Sequence, residues 1–127
     1  MHGAMMNPFL QVAIGGAAGS VLRYAVYRAV PVHGGFPVAT GLVNVLGSFA
    51  MGLLAAMMAH RWNSHLSPLL LTGVLGGFTT FSAFSLDALT LWERGQMAGA
   101  VLYIAGSVGL SLLAVVAGMA IGRGIWA

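Results

Sequence analysis

Two trios of polar side chains sit at helical spacing inside otherwise apolar sequence. Thr40, Asn44 and Ser48 are each four apart, and so are Tyr103, Ser107 and Ser111. Residues at i and i+4 share one face of a helix, so each trio draws a polar stripe. Neither stripe contains a carboxylate. Hydroxyls and one amide are groups that replace water around a passing solute, and Asn44 alone brings two N–H donors and a carbonyl acceptor. The plain alternatives are local: a Ser or Thr in an apolar helix commonly bonds its own helix carbonyl, and an Asn can join two helices. Phe78, Phe81 and Phe84 follow at i, i+3 and i+6. Helical apolar spacing of that kind is ordinarily a packing ridge. An aromatic ring also has a positive edge, so ring edges turned toward a path would favour a small anion. Arg23 lies about five residues inside the charged end marked by Arg28. It either snorkels to the headgroups or places a positive group at the mouth of an anion path.

The elements that must carry these residues are four apolar stretches, 8–30, 36–59, 66–92 and 97–121, of 23, 24, 27 and 25 residues. A membrane span needs about 20 apolar residues. The four stretches take 99 of the 127 residues and leave 28 for tails and loops, so there is no room for an extramembrane domain. Only 6% of residues are charged, against roughly a quarter in soluble domains. The reading is one all-α domain over 1–127 with four transmembrane helices. A nucleic-acid module, a soluble enzyme and a receptor with a binding ectodomain are excluded. The high pI rests on five Arg and no Lys, and implies no anionic macromolecule as partner. The first stretch reads as a span and not as a cleaved leader.

Catalytic chemistry is not expected. There are no cysteines, so thiolate nucleophiles and thiolate metal sites are ruled out. The four His (His2, His33, His60 and His65) fall in tails or loop ends and read as solvated or interfacial groups. The acids are Asp87, near the end of the third stretch, and Glu93 beside Arg94.

Short loops make neighbouring helices antiparallel. Arginines near span ends then count two against two, Arg61 and Arg123 against Arg28 and Arg94, or two against three with Arg23. Such a balance gives little orientation instruction. One reading is a fixed topology set by hydrophobicity or partner proteins. The other is dual topology, in which oppositely inserted copies form an antiparallel dimer, the relation seen in inverted repeats. Four helices hardly enclose a path and bury its walls as well, which favours a two-fold oligomer. Gly15 and Gly19, Gly118 and Gly122, and Gly47, Ser48, Ala50 and Gly52 suit close helix contact in lipid.

The third stretch is unusual. Gly73, Gly76 and Gly77 weaken a helix, and Thr79, Thr80, Ser82 and Ser85 follow with hydroxyls able to bond freed backbone groups. The expectation is a broken third helix, tolerated in a membrane only where protein or a cavity covers it. At such a break carbonyls can hold a cation and a helix N-terminus can face an anion.

The run Gly-Gly-Phe-Thr-Thr-Phe-Ser-Ala-Phe-Ser at 76–85 closely resembles the signature of the Fluc (also called CrcB) family of microbial fluoride channels. Gly-Gly-Ala-Ala-Gly-Ser-Val-Leu-Arg-Tyr at 15–24 and Gly-Leu-Val-Asn-Val-Leu-Gly-Ser-Phe at 41–49 agree with it, so the resemblance spans essentially the whole chain. Ala83 departs from the family, which often has Thr there. The resemblance implies an antiparallel dual-topology homodimer in a bacterial inner membrane, with two fluoride pores. It implies passive, fluoride-selective efflux that confers resistance. It places Phe81 and Phe84 as the pore phenylalanines, Asn44 as the pore asparagine, and Tyr103, Ser107 and Ser111 as the polar track; Thr40, on the Asn44 stripe, is expected in the pore with them. Arg23 matches the vestibule arginine. A structural sodium ion at the dimer centre is implied on the backbone carbonyls of Gly76 and Thr79. A small multidrug exporter is also four spans and often of dual topology, but needs a glutamate in its first span, and 8–30 contains no acid. A structural subunit packing through glycines is the remaining alternative.

Overall fold

The computed structural model describes residues 6–32, 35–60 and 64–126. Arg61, His2 and His33 lie outside the described residues. Helix α1 (Pro8–Ala29) starts where Asn7 Oδ1 accepts from the Phe9 N–H at 2.7 Å, with Pro8 in the first turn where its missing N–H costs nothing. Helix α2 spans Val38–His60. After a 3-10 turn at Ser64–Leu66, the third span begins as a π-helix, Pro68–Leu75, and runs into α3 (Gly76–Phe78). Two extended residues follow, and then α4 (Phe81–Glu93) and α5 (Met97–Trp126). Four segments are long and apolar enough to cross a membrane: Pro8–Ala29, Val38–Ala59, Pro68–Glu93 and Met97–Ile125. The expected spans match within two residues, except that α5 continues five residues beyond 121, carrying Arg123 in its last turn.

The turn between α4 and α5 is closed by a paired hydrogen-bond motif. Gly95 N–H donates to the Trp92 carbonyl at 3.0 Å and Gln96 N–H to the Leu91 carbonyl at 2.9 Å. Gly95 has φ +79°, a left-handed conformation that only glycine adopts freely. So tight a turn makes α4 and α5 antiparallel neighbours. They meet through Leu91, Ala100 and Tyr103, with Phe36, Phe84 and Ala88 packed around them.

Elsewhere glycines let helix backbones meet directly. A Cβ at Gly15 would meet Gly73 Cα and Val74 N at 2.9 Å, so α1 lies directly on the π-helical half of the third span. On α5, a Cβ at Gly118 would meet Phe49 carbonyl oxygen and Leu53 N, so α2 and α5 touch in the same way. Small residues drive such approach where packing, not water, holds helices together. The buried core is correspondingly small, and large apolar side chains such as Val21, Leu86 and Leu113 point outward. That surface is what hydrocarbon solvates.

The helix breaks later than the glycines suggest. Gly73, Gly76 and Gly77 remain helical, Gly73 and Gly77 pressed against α1, and Gly76 N–H still reaches the Leu71 carbonyl. The break is at Thr79 (φ −90°, ψ 160°) and Thr80 (φ −154°, ψ 121°). Close packing against α1 holds Gly73 and Gly77 in helix. Thr80, by contrast, finds side-chain partners that replace the helical ones.

Candidate functional site

Those partners come from α2. Asn44 Nδ2 donates to the Thr80 carbonyl at 3.0 Å, and Thr80 N–H donates to Asn44 Oδ1 at 2.8 Å. One amide thus satisfies both backbone groups of an extended residue in mid-span, where an unsatisfied polar group costs several kcal/mol. The Thr80 hydroxyl caps α4 by accepting from the Ala83 N–H at 3.1 Å. Thr79 takes the local option, its hydroxyl donating back to the Leu75 carbonyl at 3.0 Å. Ser85 does likewise to the Phe81 carbonyl at 2.9 Å.

On the first half of the break, Arg23 Nε donates to the Gly77 carbonyl at 3.1 Å, and its guanidinium lies 5.9 Å from the centre of the Tyr27 ring. Arg23 therefore reaches inward to the third span, not outward to the headgroups. Tyr27 gave no distinct signal in the sequence. Its position four residues after Arg23 on one helix is the pattern that pairs them.

Beside the break lies an open cavity of about 370 Å³. Its wall brings together Asn44 and Ser48 of α2, Phe81 and Phe84 of α4, and Ser107 and Ser111 of α5. Thr79 and Thr80 of the break also line it, with Met51, Val108 and other apolar residues of α2 and α5. No charged residue is among its lining groups. Hydroxyls, an amide and aromatic rings are what it offers. Phe81 and Phe84 have ring centroids 5.6 Å apart at 43°, and Phe84 lies 5.3 Å from Tyr103. Phe78 stands apart from this wall, beside Gly47 of α2.

Thr40 and Tyr103 are placed elsewhere. Tyr103 is buried; its hydroxyl donates to Asp87 Oδ2 at 3.2 Å and its ring meets Phe36 edge-on. Thr40 is buried and donates to the Tyr27 hydroxyl at 3.2 Å. Ser107 bridges the two regions, since it also lines a second, more apolar cavity of about 390 Å³ that includes Tyr103 and Gly41. The i+4 rule aligns each stripe but cannot tell which cavity each member faces. Gly76 lies three residues before Thr79, the first residue of the break, and among the described residues no cluster of three or more His, Cys, Asp or Glu is present.

Fold and site together define a small multi-pass membrane protein with four spans and a broken third helix. A profile of the family described as "CrcB-like protein, Camphor Resistance (CrcB)" matches residues 10–119, and the chain belongs to that family. A protein of Paracoccus denitrificans is 60% identical over 124 residues, covering 97% of this chain and all of the relative. Relatives from Roseobacter denitrificans and Cereibacter sphaeroides are 53% and 54% identical, covering 95% and 94% of this chain and 99% and 98% of their own. All three are named fluoride-specific ion channel FluC. The chain is thus a multi-pass bacterial membrane protein.

Proposed function

We propose that this protein is a fluoride-selective passive channel through which fluoride leaves the bacterial cytoplasm, protecting the cell. The names of relatives matching nearly the whole chain support the ion. The observation that carries the mechanism is the cavity wall, where Asn44, Phe81, Phe84, Ser107 and Ser111 converge without a carboxylate. A strongly hydrated anion must exchange water for contacts good enough to enter and weak enough to leave. Ring edges and hydroxyls are such contacts, and the absence of acid from the wall avoids repulsion. The positive charge of Arg23 raises anion concentration on the α1 side of the break.

The working unit is an antiparallel homodimer in the inner membrane, with two pores. Phe81 supports this, because a ring beside a break in mid-span is 79% exposed in one chain. A second copy would cover both the ring and the break, as irregular backbone in a membrane requires. The carbonyls of Gly76 and Thr79 suit a structural sodium ion. Thr80 N–H is held by Asn44, so the Gly76 carbonyl lacks its usual helical donor. Neutral oxygens are the ligands hard cations take, and a second copy doubles their number at the dimer centre.

The test is efflux from liposomes holding the purified protein. Fluoride leaves rapidly, chloride does not, and no proton gradient is needed. Equal movement of both anions, or fluoride movement only with a proton gradient, overturns the reading.

A further inference from the structure

Helix α1 carries two arginine–tyrosine pairs, and they differ in reach. Arg28 is exposed, donates to the Tyr24 hydroxyl at 3.4 Å and lies 6.0 Å over that ring. That pair closes on itself. Arg23 is part-buried over Tyr27, and its Nε crosses 54 positions of sequence to the Gly77 carbonyl. Tyr27 in turn accepts from Thr40 on α2. One guanidinium thereby connects α1, α2 and the third span at the break.

We propose that Arg23 is a positioning residue that clamps the end of α3, in addition to the charge it lends an anion path; this rests on the channel reading above. The Gly77 carbonyl is in need of a partner, because the residue four further on, Phe81, lies beyond two extended residues. Carbonyls at a helix C-terminus carry partial negative charge and favour a cation. Gly77 also admits α1 closely: a Cβ there would meet the Gly16 carbonyl at 2.6 Å and Ser20 N at 3.2 Å. With Asn44 holding Thr80 from α2, the two sides of the break are fixed from two different helices. Their spacing determines where α4 starts, and Phe81 is its first residue.

The geometry calls for arginine rather than any cation. A guanidinium lies flat on a ring while its Nε–H donates sideways. A lysine keeps the charge but lacks that planar donor. An arginine acting by charge alone is therefore replaced by lysine without loss, and a clamp is not.

The experiment combines fluoride efflux over a range of fluoride concentrations with backbone hydrogen exchange at residues 77–83, on Arg23→Lys, Arg23→Gln and Tyr27→Leu. Arg28→Lys serves as control. Both Arg23 variants are expected to lower the maximal rate about tenfold or more, the loss of one charged hydrogen bond. In Arg23→Lys, which keeps the charge, the half-saturating fluoride concentration should move by less than about twofold, whereas Arg23→Gln, which loses it, should raise that concentration as well as lowering the maximal rate. Exchange at 77–83 should accelerate about tenfold in the same variants. Tyr27→Leu shifts both readouts in the same direction, and Arg28→Lys shifts neither. The proposal is overturned if Arg23→Lys keeps the parent rate and exchange while Arg23→Gln raises only the half-saturating concentration. Should Arg23→Lys not fold, parent-like rate and exchange in Tyr27→Leu overturn it equally. If the parent itself moves no fluoride, the channel reading fails, and exchange alone decides the clamp.

Discussion

Asn44 and Thr80 exchange two hydrogen bonds across 36 positions of sequence, amide to carbonyl at 3.0 Å and backbone N–H to amide oxygen at 2.8 Å. The pair acts as one rung of a β-ladder would, with a side chain in place of the second strand. It lets the third span open without leaving Thr80 unpaired. It also turns Asn44 from a generic polar group into the residue joining the break to the cavity wall.

Replacing Asn44 separates these duties. In Asn44→Leu both Thr80 groups lose their partner, at about 1–3 kcal/mol each. A thermal-shift measurement in detergent should show a clear fall in stability, with efflux lost. In Asn44→Asp the Thr80 N–H keeps its acceptor, but an oxygen faces the Thr80 carbonyl and a carboxylate faces the cavity. Efflux should fall by about a hundredfold, a barrier increase of about 2.7 kcal/mol. Efflux at the parent rate in both variants would remove Asn44 from the site.

Phe81 and Phe84 lie 5.6 Å apart but are embedded differently. Phe81 is largely exposed in the single chain, whereas Phe84 stacks on buried Tyr103. Phe81→Ile retains bulk and removes the ring edge, worth about 0.5–1.5 kcal/mol in an aromatic contact. Efflux should therefore drop up to about tenfold while the chain folds normally. Phe84→Ala should lower thermal stability more than Phe81→Ala, because it opens the cluster around Tyr103. The opposite order of stabilities would mean that contacts of Phe81 with a second copy outweigh those of Phe84 with this chain's own cluster.

Much of this was legible in the residues, and the limits have physical causes. Length and hydropathy set the four spans because hydrocarbon thickness sets span length. The stripe rule aligned Asn44 with Ser48 and Ser107 with Ser111, and these four do share the cavity. The same rule could not separate Thr40 and Tyr103 from them, since a helix face wide enough for i and i+4 borders two cavities. The π-helix left no sequence signal of its own. Nor did the break's exact place, because it depends on a side chain 36 residues away and not on the local glycines.

Glycines at close contacts should resist a methyl group where others accept one. A Cβ at Gly118 meets α2 backbone, at Leu53 N 2.9 Å away, whereas none is within 4 Å at Gly124. Gly118→Ala must push α2 and α5 apart, at a cost of about 1–3 kcal/mol. Gly124→Ala should instead favour the end of α5, by about 0.5–1 kcal/mol. Thermal shift on the two variants checks this pair of opposite signs, and equal effects would argue against direct contact of α2 with α5.

Sodium should matter to assembly before it matters to transport. If the Gly76 and Thr79 carbonyls of two copies hold one ion, it binds the dimer and not the separate chain. Stabilisation by a ligand follows RT ln(1 + [L]/Kd), about 2.7 kcal/mol at a hundredfold excess over Kd. Protein transferred to a large organic cation in place of sodium should unfold at lower temperature and dissociate at a higher protein concentration. Adding sodium should restore both, at constant ionic strength so that screening does not contribute. Arg23→Gln gives a second handle, because the Gly77 carbonyl, one residue after Gly76, loses its donor and becomes a further free oxygen at the break. Its sodium dependence should shift to lower concentration, whereas a sodium effect identical in all variants would place the ion elsewhere.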